Sequence, residues 1–224
     1  MMEVRSFEAI EDIAAFRQKM AAINRGARRP DPFSTFEHYA HFAAHDEFHP
    51  EGLEPWLLGA FEGSELVGYL ALKRTRERYL GIASNKVDFL VTHDTDRPHV
   101  VARAEDEARC ADAFLRHLVD RCDEWDFLEL QQQDAESALY ALPTLPRSRF
   151  LVRAFPSMEN GTIPLRWPSV REYYAALSKK FRSNVSRQMR SLLASGKVEV
   201  LSSSDPEATP FLFELLLAIE ASSW

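Results

Sequence analysis

Two apolar runs, Pro55 to Phe61 and Leu66 to Lys73, flank the tetrapeptide Glu62-Gly63-Ser64-Glu65. A short turn containing Gly between two such runs predicts a β-hairpin. Trp56, Leu58 and Ala60 alternate with Leu57, Gly59 and Phe61, and Val67, Tyr69 and Ala71 alternate with Leu66, Gly68 and Leu70. Both faces of this hairpin are apolar, so both must be covered. A sheet needing cover on two sides directs the chain to an α/β layer fold.

The flanking segments supply the cover. Glu3 to Phe7 reads as a first strand, and Ile10 to Ile23 as a helix with Ile10, Ile13, Ala14, Phe16, Met20 and Ile23 on its apolar face. Arg25 to Pro32 breaks the pattern with one Gly and two Pro, and a second helix is expected over Ser34 to Ala44. A strand is expected over Lys86 to Thr92, then a polar loop His93 to Pro98 leading into His99-Val100-Val101. Glu105 to Cys122 reads as a helix, with Glu105, Asp106 and Glu107 in the first turn, where the macrodipole favours acids. Its core face is Ala111, Phe114, Leu115, Leu118, Val119 and Cys122. Trp125 to Leu130 is a strand, Ser137 to Leu142 a short helix or turn, Arg149 to Ser157 a strand, and Met158 to Gly161 a turn. Antiparallel hairpins with one β-α-β crossover give a mixed sheet.

The 224 residues carry a net charge of −7, which argues against a general nucleic-acid-binding surface. No apolar run reaches the roughly 20 residues that span a membrane, and no signal peptide is visible. Cys110 and Cys122, both expected on one helix about 18 Å apart, are too distant to bridge. Reduced thiols without an export signal fit a cytoplasmic protein.

Against this acidic background stands one basic stretch, from Trp167 to Gly196. Ser169 and Glu172 form a capping box, Gly196 ends the helix, and Val170, Tyr173, Tyr174, Leu177, Phe181, Val185, Met189 and Leu192 make one apolar stripe. The remaining surface carries Arg171, Lys179, Lys180, Arg182, Arg187 and Arg190 against the single acid Glu172. Lys179, Lys180, Arg182, Arg187, Arg190 and Tyr174 are the candidates for binding an anionic substrate or a cofactor phosphate. The competing reading is a solvated polar face on a packed helix. Tyr173 or Tyr174 can act as a general acid, and Asp126 or Glu129 as a base towards an amine, although exposed strand acids and core aromatics have the same pattern. His38, His41 and His45, with Asp46, Glu47 and His49 nearby, lack the HExxH arrangement and read as a surface or groove-lining cluster, so no metal site is assigned. No catalytic residue is singled out.

After Gly196, Glu199-Val200-Leu201-Ser202 echoes Glu3-Val4-Arg5-Ser6 and is again followed by a helix, with Thr209 as N-cap and Pro210 at its first position. The expectation is a first domain over 1–165, a basic connecting helix over 166–196, and the first strand and helix of a truncated second domain over 197–224. Roughly 100–150 further residues would complete that domain.

The element order resembles the GNAT acyltransferase fold. The phrases Trp56 to Leu72, Trp125 to Leu130 and Phe181 to Arg190 resemble the tandem-GNAT group of CelD/BioF2-like acetyltransferases, related to the FemAB aminoacyltransferases. The resemblance implies acyl transfer from acetyl-CoA or another acyl-CoA to an amine or hydroxyl of a small molecule or envelope precursor. In that family a Gly-rich loop before a helix cradles the cofactor diphosphate. The matching loop here, Val101 to Glu107, has no Gly and three acids. The first unit is therefore expected not to bind CoA, and the cofactor site is expected mostly in the C-terminal unit. The alternatives are FemAB-like aminoacyl transfer from charged tRNA and a non-catalytic GNAT-like binding module.

Overall fold

The computed structural model describes residues 2–45, 54–79, 81–91, 95, 97–140, 150–156, 163, 166–202 and 205–223. The chain divides into two compact units, Met1–Glu159 and Asn160–Trp224. Among the described residues no helix is long and apolar enough to cross a membrane.

In the first unit, β1 (Met2–Phe7) leads to α1 (Ile10–Ile13), a 3-10 turn over Ala14–Phe16, and α2 (Arg17–Gly26). The expected first helix is therefore two helices joined by a tighter turn. A second 3-10 turn, Pro32–Ser34, precedes α3 (Phe36–His45); Asp31 accepts from the Phe33 N–H at 2.8 Å and holds that entry. The hairpin follows as β2 (Glu54–Glu62) and β3 (Glu65–Tyr79), with Gly63 at φ 62° in the turn. Gly adopts that left-handed backbone without steric cost. β4 (Ile82–Phe89), β5 (Val101–Ala102), α4 (Glu107–Asp120) and β6 (Phe127–Glu129) complete the layer.

The sheet runs β1-β2-β3-β4-β6; its first four strands are antiparallel and β6 is parallel to β4 through the α4 crossover. This is an α/β fold, a mixed sheet flanked by helices, as the pattern of residues implied. Strand periodicity distributes the core. Trp56, Leu58, Ala60, Leu70, Leu72, Val87 and Phe89 pack with Phe114, Leu115 and Leu118 of α4. Leu57, Phe61, Tyr69 and Ala71 pack with Ile13, Met20, Ile23, Tyr39 and Phe42 from α1–α3. α4 lies close to β3: a Cβ on Gly68 would stand 2.7 Å from Cys110 Sγ.

Several expectations are corrected. β3 continues six residues past Lys73, because Arg74 to Tyr79 pair with β4 in register. Cys110 lies on α4, but Cys122 falls past its end at Asp120; both are unbridged. Residues 150–156 have no regular structure, and Phe150 stacks on Trp125 at 5.6 Å; the ends of the expected strand at Arg149 and Ser157 lie outside the described residues. One 3-10 turn, Ala138–Tyr140, stands in the expected 137–142 helix, whose last residues lie outside the described ones, as do Asp46, Glu47, His49, His93, Asp94 and the 158–161 turn.

In the second unit the basic stretch is two helices. α5 (Val170–Ala176) has Ser169 accepting from the Glu172 N–H, and α6 (Lys179–Ala194) has Ser178 accepting from the Phe181 N–H. Ser178 caps a new helix where a single one was expected, so the chain turns at Leu177. Gly196, with φ 148°, follows α6. The strand expected over Glu199–Ser202 is absent among its described residues; no strand pairs with it, and an unpaired strand leaves its backbone groups to water. α7 (Thr209–Ser223) begins at Thr209, whose hydroxyl donates to Asp205 O, rather than after it. Its Phe211, Phe213, Leu216 and Ile219 are exposed.

Candidate functional site

β4 leaves the sheet at Leu90, whose N–H donates to Ala71 O at 3.0 Å. The chain returns at Val101 and Ala102, which pair with Tyr69 and Gly68 along the same side of β3. β4 and β5 are thus two halves of one interrupted strand. Downstream, Ala27 bridges to Arg103, and the N–H groups of Asp106 and Glu107 donate to Arg103 O as α4 begins.

A cleft of about 270 Å³ opens between the returning half-strand and the chain leaving β6. Pro98, His99 and Ala102 form one side, Gln133, Asp134 and Ser137 the other, and Arg28, Arg29 and Glu107 lie across the end. Its polar groups are laced together. Gln133 Nε2 donates to Pro98 O at 2.6 Å, and Ser137 Oγ donates to Gln133 Oε1 at 2.8 Å. Arg29 pairs with Asp134 at 2.6 Å, Arg97 with Asp134 at 3.8 Å, and Arg28 with Glu107 at 3.5 Å. Asp106 pairs with Arg109 at 2.9 Å. Carboxylates thus gather at the helix terminus that attracts anions in other proteins. The sequence expectation of an acidic loop before this helix has this physical form.

A second polar cluster sits on the α1–α3 face of the sheet. Register places Lys73 opposite Asp88, Thr75 opposite Lys86, and Asp88 opposite Glu129. Lys86 Nζ meets Glu129 at 2.7 Å, Asp88 at 3.1 Å and Glu77 at 3.5 Å. Lys73 Nζ lies 3.7 Å from Asp88 and over the Phe42 ring. Burial pulls Lys86 down, but its bonds to Glu129 and Asp88 outweigh this and leave it raised. The bond to Lys86 holds Glu129 below the usual carboxylate range, while burial pushes Asp88 up against the attraction of Lys73 and Lys86. These opposed shifts describe one cluster, and Lys86 stays charged in it because three carboxylates face it. Asp126, the other strand acid, accepts from the Asn85 N–H at 2.7 Å. Both acids considered as bases from the sequence are thus bonded within the fold.

A third group links β1, β2 and α4. Trp56 Nε1 donates to Ser6 Oγ at 3.3 Å, and Ser6 Oγ lies 2.9 Å from His117 Nε2. Burial, with Arg121 nearby, holds His117 below its ordinary value. His38, His41 and His45 do not converge: His41 and His45 stack at 4.3 Å, while His38 packs edge-on against Phe33 and Tyr39.

The basic candidates lie in the second unit. Tyr174 and Arg182 meet at the α5–α6 elbow. The Tyr174 hydroxyl donates to Arg182 O at 2.8 Å, and Arg182 donates to Ala175 O at 2.7 Å and Leu177 O at 2.6 Å. Arg182 thereby satisfies carbonyls at the end of α5. Lys179, Lys180, Arg187 and Arg190 are exposed on α6, and helical geometry places all four within a sector of about 100°. Phe181, Val185, Met189 and Leu192 occupy the opposite side of the helix.

The chain's matches are confined to solved structures: no family model matches it, and no curated protein does. It is similar to a ribosomal-protein-alanine N-acetyltransferase from Brucella melitensis biovar Abortus 2308, with 18% identity and a TM-score of 0.43 over 73% of this chain and 100% of that one. It is similar to a predicted acetyltransferase with acetyl-CoA from Clostridium acetobutylicum, with 13% identity and a TM-score of 0.40 over 72% of this chain and 96% of that one. It is also similar to an aminoglycoside acetyltransferase from an uncultured soil metagenomic sample, with 14% identity and a TM-score of 0.41 over 73% of this chain and 99% of that one.

Proposed function

We propose that this chain belongs to a GNAT-type acyltransferase in which the first unit holds the acyl acceptor and the acyl-CoA is held elsewhere. The observation that carries this reading is the carboxylate-filled corner where α4 begins. A CoA diphosphate needs free N–H donors and positive charge. Glu105, Asp106 and Glu107 oppose it there, and the cations lining the cleft, Arg28 and Arg29, are paired with Glu107 and Asp134. The four cations on one sector of α6 suit the anionic portion of a cofactor or substrate. We read 197–224 as the opening of a second GNAT-like unit, for which the exposed apolar surface of α7 is the core face. The unbridged thiols fit a cytoplasmic setting. The acceptor is a small molecule or an envelope precursor bearing an amine or hydroxyl.

The same basic sector favours one second reading, aminoacyl transfer from charged tRNA, because a row of cations meets a phosphate backbone in the same way. Calorimetry with acetyl-CoA tests both. This chain is expected to show no micromolar affinity; micromolar binding that Arg28→Ala or Arg29→Ala weakens would overturn the reading. For the full-length parent, thiol release from acetyl-CoA supports acyl transfer. Salt-sensitive tRNA binding without CoA binding supports the aminoacyl reading. Neither signal leaves a non-catalytic binding module and overturns both.

A further inference from the structure

α6 is a 16-residue helix that carries Lys179, Lys180, Arg182, Arg187 and Arg190 and no acid. Arg182 is taken up by carbonyls of α5 and the turn after it, whereas Lys179, Lys180, Arg187 and Arg190 form no ion pair with another described residue. On the opposite side Phe181 is 52%, Met189 52% and Leu192 50% exposed. Scattered apolar residues are ordinary on a surface, but a continuous apolar stripe left open marks a place where a partner sits. Charge is also unevenly divided along the chain. Asn160–Trp224 holds eight Lys and Arg against six Asp and Glu, so the acidic excess of this −7 chain lies entirely in Met1–Glu159.

We propose that α6 is an interfacial helix that lies flat on an anionic lipid bilayer, with Phe181, Met189 and Leu192 at the acyl boundary and its cations attracted to the headgroups. A nucleic-acid backbone matches the cations but offers nothing to the apolar side. An anionic bilayer presents both chemistries in one layer, and a helix with separate basic and apolar faces fits it. A helix is about 10 Å across, close to the Debye length in physiological salt, so cations on its far side still feel the headgroup charge. An acidic peptide-binding groove would also match both faces, but it must enclose the helix. Here the Tyr174 hydroxyl lies 2.8 Å from Arg182 O and 3.2 Å from Ser186 Oγ, which holds α5 against one flank of α6 and leaves access for a flat surface. The inference rests on the reading of α6 as the anion-binding element and names lipid as its anion.

The test is co-sedimentation of the whole chain with vesicles of phosphatidylcholine alone and of phosphatidylcholine mixed with about one-third phosphatidylglycerol. The mixed vesicles are expected to bind at least about tenfold more tightly, with an affinity that falls as salt rises. Each cation near such a surface is worth about fivefold, so Lys179→Gln combined with Lys180→Gln should weaken binding to the mixed vesicles by about twentyfold. Contact is read from a polarity-sensitive thiol fluorophore on Met189→Cys or, across the helix, on Ser183→Cys, both in the Cys122→Ser background. The Met189 label should shift to the blue on the mixed vesicles and the Ser183 label should not. Equal binding to both kinds of vesicle, as attachment through the apolar α7 would give, overturns the proposal, and so do two labels that respond alike. A Met189 label already blue-shifted before vesicles are added shows that a second copy or another segment of the chain covers this side, and also overturns it. Transfer RNA is titrated into a separate sample. Salt-sensitive tRNA binding without vesicle binding defeats the lipid surface and leaves α6 as an anion-binding element; neither signal defeats both.

Discussion

Removing the Lys86 ammonium leaves three carboxylates facing a site built around a cation. Lys86→Met keeps most of the side chain's apolar stem and deletes the charge. The Lys86 side chain is 12% exposed and Asp88 16%, while Glu129 and Glu77 are 43% and 47% exposed. Breaking a well-buried pair costs about 3–5 kcal/mol, whereas exposed pairs contribute about 0–1 kcal/mol. Lys86 and Asp88 are partly buried, between these two cases, and Lys73 still stands 3.7 Å from Asp88, so the expected loss is about 2–3 kcal/mol. For a chain of this size that lowers the melting temperature by about 4–12 °C. Urea or thermal denaturation at pH 7 measures it. The sign with pH is fixed by the charges: as Asp88, pushed up by burial, and then Glu129 take up protons in acid, the missing cation matters less and the gap from the native sequence should close. Asp88→Asn in the Lys86→Met background should recover more than about 1 kcal/mol. A loss unchanged between pH 7 and 4 would show that packing of the lysine stem, not its charge, had been removed, and would refute the reasoning.

Three further outcomes are expected. Gly68→Ala drives a Cβ into Cys110 Sγ at 2.7 Å and Val101 O at 3.2 Å, for a loss of about 1–3 kcal/mol in urea denaturation; adding Cys110→Ala should recover part of it. His117 has a folded pKa below its unfolded value, so its contribution to stability is complete above about pH 6.5 and is lost as pH falls through the folded value; His117→Gln should flatten that part of the stability profile, and identical slopes would contradict the assignment. Burial pushes the Cys110 thiol up to about 12, so a thiol reagent should modify partly exposed Cys122 in the native protein and reach Cys110 only on unfolding, as mass spectrometry of Cys122→Ser would show.

The hairpin and α4 were legible because their signals are local. Alternation with a Gly turn marks β2 and β3, and the spacing of Ala111, Phe114, Leu115 and Leu118 marks α4. The pairing of β5 with β3 was not legible, since it joins residues more than thirty positions apart and depends on where the chain returns after Leu90. The α5–α6 break was hidden because the apolar period runs through Leu177; the available signal was Ser178 three residues before Phe181, a second cap inside the stripe. Charge drew attention to the basic stretch, but charge does not say which cations are engaged by their own backbone, as Arg182 is. His99 was read only as the residue that the 93–98 loop leads into, and the contact of its Nδ1 with Arg97 O is visible only in three dimensions. Lys86 and Asp88 did carry a signal: in Lys86-Val87-Asp88-Phe89 the two charges share the face opposite two core residues.

The interrupted strand has a consequence for how this fold can diversify. β4 is anchored by Leu72 to Tyr79 of β3, and β5 by Gly68 and Tyr69, so each half keeps its register without help from the residues between them. The connecting segment, which contributes Pro98 and His99 to the cleft, is therefore decoupled from the pairing that defines the sheet. It can be lengthened, shortened or swapped as a cassette, and loop length adds closure entropy only slowly. A scaffold of this kind can acquire new ligand preferences through one insertion point while its framework stays unchanged.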